Sequence, residues 1–142
     1  MNENFLIKIR GTQLSDGEEN SIELTTRGSF VVRGKSYYIS YKETEATGYE
    51  GCTTTVKLDS TGKVSMMRYG NAPSELVIEP GQRHICHYDT GQGALTMGIA
   101  ANEIIANLNE KGGDLNFSYD LDINSNAFSR NIVKISVREA VV

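Results

Sequence analysis

Hydrophobic and polar residues alternate along most of this chain, in short stretches that turn residues separate. Clear examples are Phe5, Ile7 and Ile9; Leu115, Phe117, Tyr119 and Leu121; and Val133, Ile135 and Val137. Alternation with a period of two gives a half-buried β-strand one apolar face. Because many such strands in a small chain must stack as two sheets or close on themselves, the pattern predicts an all-β fold.

Strands are predicted where alternation coincides with β-branched or aromatic residues, and turns where Gly, Pro, Asn and Asp cluster. The predicted strands cover residues 4–11, 21–32, 36–43, 52–58, 63–69, 74–79, 83–89, 94–100, 114–123 and 128–139. Residues 12–20 are predicted to form a polar turn, and Gly28 to mark a bend or bulge. Residues 101–108 carry a short helical stripe, but they lie between strands without a helix cap, which favours a strand.

The even spacing and short connections favour a single antiparallel up-and-down β-barrel of about 8–10 strands, with a sandwich as the alternative. The chain of 142 residues is expected to be one domain, residues 1–142, that buries its own core. A barrel of about eight strands has an interior that side chains just fill or that admits one small ligand.

Charge and composition exclude several partners. The net charge is −4 and no block of like charges occurs, which disfavours nucleic acid. No apolar run reaches the roughly 20 residues of a membrane helix, so no membrane partner is expected. Residues 1–10 lack the pattern of a secretory signal, which predicts a cytoplasmic protein. Cys52 and Cys86 are therefore expected to be free thiols.

Five segments of the chain carry a resemblance to a known family. They are residues 37–43, 53–57, 66–70, 86–91 and 119–120. Their order and spacing resemble the YwiB-like family of small bacterial proteins, a domain of unknown function. The resemblance implies a calycin-like (lipocalin-like) β-barrel. It implies no established activity, cofactor or catalytic residue.

Two charged residues stand on faces that are otherwise apolar. In the strand at residues 36–43, Glu43 shares a face with Ile39 and Tyr41, which is predicted to point inward with Glu43 at the rim. Arg68 lies in the strand pattern next to Met66. Because a buried charge needs a partner, we predict an ion pair between Glu43 and Arg68. The pair would be a structural salt bridge, or an anchor for a carboxylate or phosphate of a ligand.

Hydroxyl groups extend this candidate site. Tyrosine combines an apolar ring with a polar group, which suits an amphipathic ligand, although it is also an ordinary strand residue. The candidate ligand-binding residues are Tyr41, Glu43, Arg68, Tyr88 and Thr90.

Catalytic and metal sites are not indicated. His84 and Cys86 share one face of a regular strand and His87 points to the other, so the three cannot converge on a metal. We predict no catalytic residue, metal or cofactor. Two functions remain: a barrel that binds a small apolar or amphipathic molecule, and a filled barrel that acts through its outer surface as a protein-interaction or structural module. An enzyme is a weaker third option, and a homodimer is compatible with either function.

Overall fold

A computed structural model describes residues 3–71, 73–89 and 94–140, with only the backbone at 87–89, 94 and 127. The described residues form ten strands: β1 (Phe5–Ser15), β2 (Glu18–Arg33), β3 (Ser36–Lys42), β4 (Thr53–Leu58), β5 (Val64–Tyr69), β6 (Ser74–Ile78), β7 (Arg83–Asp89), β8 (Ala94–Asn109), β9 (Gly112–Ile123) and β10 (Asn126–Glu139). The prediction of an all-β fold is confirmed.

The strands belong to one antiparallel sheet with the order β6-β5-β4-β3-β2-β1-β10-β9-β8-β7. Consecutive strands pair along most of the chain, and β1 also pairs with β10. The edge strands β6 and β7 approach each other and β6 also packs on β8, so the sheet curls into a nearly closed barrel. The predicted antiparallel barrel is confirmed. We call the end with the turn at 16–17, the loop at 43–52 and the turn at 124–125 the open end.

Gly28 marks the point where β2 changes its neighbours. Residues 18–28 of β2 pair with β1, whereas residues 28–33 pair with β3. A Cβ atom at Gly28 would collide with the Ser40 carbonyl oxygen and the Ile7 side chain, so only glycine permits this close approach. The bend predicted at Gly28 therefore corresponds to a divergence of β2 from β3, which opens the barrel wall towards the open end.

The core follows the alternation seen in the sequence. The largest side chains that are almost completely buried are Phe117, Ile7, Ile39, Ile78, Ile99, Leu115, Ile135, Val56, Val64 and Val137. Ile7 and Val137 are register partners near the start of β1, at the end opposite the open end. Apolar side chains thus fill that part of the interior, as expected for close-packed protein cores.

The turn predicted at residues 12–20 is wrong. β1 continues to Ser15 and β2 begins at Glu18, so the turn consists of Asp16 and Gly17 alone. Both have positive φ, 50° and 76°, as the turn of a tight two-residue hairpin requires. Most of the flanking residues are exposed, so backbone pairing forms the hairpin without any apolar alternation to signal it.

Residues 101–108 are strand, as predicted, and continue the strand predicted at residues 94–100. Together they form β8, whose pairing with β9 shifts register between Ala101 and Glu103. The irregularity adds one residue to β8, which explains why its side chains mimic a helical stripe instead of strict alternation.

Candidate functional site

A row of polar side chains crosses three neighbouring strands near the open end. Tyr41 on β3 pairs with Thr54 on β4, and Thr54 pairs with Arg68 on β5. Register partners on antiparallel strands point to the same face, so the three side chains share the inner face. Tyr41 and Thr54 are each only 4% exposed. The inward face predicted for this strand is confirmed at Tyr41.

Glu43 continues this row directly after β3. Its backbone N–H donates a 2.8 Å hydrogen bond to the Cys52 carbonyl, which closes the loop at its base. The side chain is buried, and each carboxylate oxygen accepts one threonine hydroxyl. Thr54 Oγ1 donates to Oε1 at 3.2 Å, and Thr47 Oγ1 donates to Oε2 at 2.7 Å. Glu43 therefore ties the loop at 43–52 to the barrel wall.

Arg68 is a half-buried cation whose guanidinium makes no hydrogen bond to the described residues. Its buried Nε has no hydrogen-bond partner, and no ion pair joins the guanidinium to any residue in the described part of the chain. The predicted ion pair with Glu43 is not formed. The carboxylate oxygens bind two threonines, while the guanidinium carbon lies 3.5 Å from the centroid of the Tyr49 ring. A cation over an aromatic face is stabilised by the ring quadrupole, but this contact satisfies none of its N–H donors.

A cavity of about 340 Å³ connects these residues with the gap between β2 and the loop. Residues of β3, β5 and the loop line one part of it, and both apolar and polar residues of β1, β2 and β10 line another. The lining residues are Ile9, Gly11, Thr12, Gln13, Asn20, Ile22, Leu24, Tyr41, Glu43, Thr47, Tyr49, Met66, Arg68, Tyr119, Asn131, Ile132 and Val133. The interior is therefore solid at one end and hollow at the other.

Two phenols in the cavity wall stay neutral near physiological pH. Burial, followed by the negative charge of Glu43, raises the pKa of Tyr41 far above its ordinary value. Burial alone raises the pKa of Tyr119 to about 12. Neutral phenols keep their O–H groups. The Tyr41 hydroxyl is engaged with Glu43, so Tyr119 is the phenol that can donate a hydrogen bond to an oxygen atom inside the cavity.

The structure brings together Tyr41, Glu43 and Arg68 from the predicted candidates, although Glu43 and Arg68 do not touch. Tyr88 belongs to β7, where its backbone pairs with Leu95. The Tyr88 side chain and the whole of Thr90 lie outside the described residues, so their predicted contribution stays a prediction.

Sequence reasoning missed four residues of the site: Thr47, Tyr49, Thr54 and Tyr119. Alternation could have found two of them, because Thr54 shares the inner face of β4 with Val56, and Tyr119 continues an inward series on β9. The loop residues Thr47 and Tyr49 carry no periodic signal. Their positions depend on how the loop folds over the open end.

Neither cysteine lines the cavity. Cys52 and Cys86 are free cysteines, and the Cys52 thiol donates a 3.1 Å hydrogen bond to Asn71 Oδ1. Burial raises the pKa of the Cys86 thiol. Among the side chains described within residues 3–71, 73–89 and 94–140, which leave out those at 87–89, 94 and 127, no group is arranged to hold a metal ion. The same ranges contain no helix that is long and apolar enough to cross a membrane.

Comparisons with known proteins support the fold. A family described as a domain of unknown function (DUF1934) matches residues 7–135. The uncharacterized β-barrel protein YwiB of Bacillus subtilis (strain 168) is 30% identical over 108 residues, which are 76% of this chain and 74% of that protein. The crystal structure of YwiB superimposes with a TM-score of 0.72 at 20% identity, over 96% of this chain and 92% of that one. The resemblance noted from the sequence is confirmed.

Proposed function

The chain belongs to the family described as a domain of unknown function (DUF1934), and we propose that this member binds a small amphipathic molecule in the cavity at the open end. Arg68 holds an anionic group of the ligand, either a carboxylate or a phosphate. The observation that carries the proposal is the Arg68 guanidinium, which faces the cavity without a hydrogen bond to the described protein.

A buried guanidinium N–H without an acceptor is costly, because it has lost water without gaining another partner, and Arg68 Nε is such a group within the described structure. Its planar fork of N–H donors matches two oxygens of a carboxylate or phosphate, and such charge-assisted hydrogen bonds are stronger than neutral ones. A ligand anion would therefore satisfy Arg68 in a way that Tyr49 does not. Glu43 does not fill this role: its oxygens accept the hydroxyls of Thr47 and Thr54, and no ion pair joins it to Arg68 among the described residues.

The remaining wall determines the rest of the ligand. Ile9, Leu24 and Val133 offer an apolar surface, and the Tyr119 phenol offers a hydrogen-bond donor. The volume of about 340 Å³ is near the lower end of the range of roughly 300–1,000 Å³ for small-molecule sites. These features fit a small molecule with one anionic head and a short aliphatic or aromatic body. The alternative of a filled barrel is disfavoured, because it requires a solid interior.

Calorimetric titration with matched eight-carbon probes tests the proposal. Octanoate and octyl phosphate share the chain of octanol and octylamine but differ in the charge of the head group. We expect the two anions to bind more tightly than the alcohol or the amine. The Arg68→Gln variant should weaken anion binding about ten-fold or more, with little effect on the alcohol.

The Arg33→Gln variant is the matched control, because Arg33 is an exposed arginine at the opposite end of the barrel. It should bind the anions as the unmodified protein does. Equal affinity for octanoate and octanol, or unchanged anion binding in Arg68→Gln, would disprove the proposal. If the anions do bind as expected, native mass spectrometry of the protein purified from its source cells would identify the natural ligand directly.

We also propose that the protein works in the reducing cytoplasm. The support is chemical: Cys52 and Cys86 are unpaired, and the Cys52 side chain is buried. Disulfides persist in oxidising compartments and are rare in the cytosol. Titration of the denatured, non-reduced protein should therefore count both thiols, whereas a count near zero would place the protein in an oxidising compartment.

A further inference from the structure

Strand β2 has a long free edge at the open end. Its residues 18–27 pair with β1 on one side, and on the other side no backbone from the described segments pairs with them. The reason is the divergence at Gly28: β3 pairs with β2 only from Gly28 to Arg33 and turns away from residues 18–27. Natural sheets often protect such edges with charged residues, above all lysine, with proline or with a short strand, because unpaired N–H and C=O groups attract another strand. The charges on this edge have both signs, Glu18, Glu19 and Glu23 with Arg27, so they can attract an identical edge instead of repelling it. Residues 18–27 contain neither lysine nor proline.

We propose that this edge pairs antiparallel with the same edge of a second copy of the chain, about a two-fold axis at Glu23. Self-pairing satisfies the free backbone groups of both copies at once, as in other isologous interfaces. A two-fold axis perpendicular to the sheet leaves the inner faces of both copies on the same side of the joined sheet. Each residue must therefore pair with a residue from the same face of β2 in the second copy. This condition leaves only a few registers.

Charge and the length of the free edge together select one register. An axis at Thr25 would also place Glu23 opposite Arg27, but only residues 23–27 could pair, because β3 occupies this edge of β2 from Gly28 onwards. With the axis at Glu23, each Glu19 lies opposite the partner copy's Arg27, and the interface gains two ion pairs on the outer face. The two Glu23 side chains that meet at the axis are already neutralised within each copy, by Lys8 at 3.3 Å and Arg10 at 3.9 Å. An axis at Ser21 would oppose Glu19 and Glu23, and opposed like charges are unfavourable.

The inner face is consistent with the same register. It places Ile22 opposite Leu24 of the second copy, which makes an apolar cross-strand pair. Ile22 is 51% exposed although it lines the cavity, so it lies where the barrel wall is open to solvent. The second copy would cover Ile22 and narrow the mouth of the cavity. This inference does not depend on whether a ligand binds.

Sedimentation velocity over a concentration series tests the interface with the full-length protein. We expect a dimer, and the Arg27→Glu variant and the Glu19→Arg variant should each raise its dissociation constant about ten-fold or more, because each opposes like charges twice. An equimolar mixture of the two variants should recover dimers, since one variant carries glutamate at both positions and the other carries arginine. Arg33→Glu is the matched control, because Arg33 lies on the same strand but pairs with β3.

Cysteine cross-linking tests the register. Under mild oxidation Glu23→Cys should form a disulfide-linked dimer, because the two copies of residue 23 lie side by side on the axis. Ser21→Cys and the unmodified protein, with its native Cys52 and Cys86, should not. A monomer at all concentrations, an unchanged dimer in Arg27→Glu, or cross-linking at residue 21 instead of 23 would each overturn the proposal.

Discussion

The guanidinium carbon of Arg68 lies 3.5 Å from the ring centroid of Tyr49. A side chain from the loop thus covers a cation that the barrel wall leaves without a hydrogen bond. The contact links the loop at 43–52 to β5, just as Glu43 links the same loop to β4. The loop is therefore held to the barrel by one acidic and one basic residue, each through a different partner.

Removing the Tyr49 ring should destabilise the protein. We expect Tyr49→Ala to lower the free energy of unfolding by about 0.5–1 kcal/mol, the range for a partly exposed cation–π contact. Tyr49→Phe keeps the aromatic face and should stay close to the unmodified protein. Urea denaturation measures both, with the exposed Tyr69→Ala as the control. Equal destabilisation by Phe and Ala would mean that the hydroxyl, and not the ring face, is important.

Glu43 and Arg68 should behave as nearly independent residues. Because no ion pair joins them, we expect a double-mutant cycle of Glu43→Gln and Arg68→Gln to give a coupling energy below about 1 kcal/mol. Glu43→Gln should be the more destabilising single change, since Glu43 is 8% exposed and binds two hydroxyls. Urea denaturation of the three variants measures the cycle. A coupling of about 3 kcal/mol or more would restore the direct ion pair predicted from the sequence.

A side chain at Gly98 should weaken a neighbouring ion pair. Arg83 and Asp122 form a two-pronged ion pair across β8, with Nη2 2.8 Å from Oδ1 and Nε 3.2 Å from Oδ2. A Cβ atom at Gly98 would collide with the Arg83 guanidinium and lie 2.6 Å from Asp122 Oδ2. We expect Gly98→Ala to lower the free energy of unfolding by about 1–3 kcal/mol, because it separates the buried Asp122 from its partner.

Gly11→Ala is the control for this change, since a Cβ atom at Gly11 would meet no atom within 4 Å. Thermal denaturation of both variants makes the comparison. Similar melting temperatures for the two would show that the ion pair adapts to the added methyl group.

Tyr119 should make the fold sensitive to alkali. Its pKa is raised to about 12 in the folded protein, against about 10 in an unfolded chain. The folded state therefore holds the proton more tightly, so this stabilisation is complete below about pH 10 and is lost as pH rises towards 12. Tyr119→Phe should remove that part of the pH dependence of urea denaturation, whereas Tyr69→Phe, at an exposed position, should retain it. If the loss of stability between about pH 10 and 12 persists in Tyr119→Phe, a group other than Tyr119 causes it.

Much of the fold could be predicted because period-two alternation is a local property. The inward face of β3 was readable from Ile39 and Tyr41, and it correctly placed Glu43 among buried residues. The same pattern placed Arg68 on an inner face next to Met66, in the cavity that both line. These inferences need only the distance along the chain between residues on one strand.

The tertiary structure alone decided which groups meet and what they leave unpaired. Threonine hydroxyls at positions 47 and 54 bind Glu43, and the Tyr49 ring covers Arg68, so two charges expected to pair stay apart. The cavity exists because β2 leaves β3 at Gly28. Loop packing, strand register and strand divergence bring together residues that are far apart in sequence, and no local pattern of side chains encodes those distances.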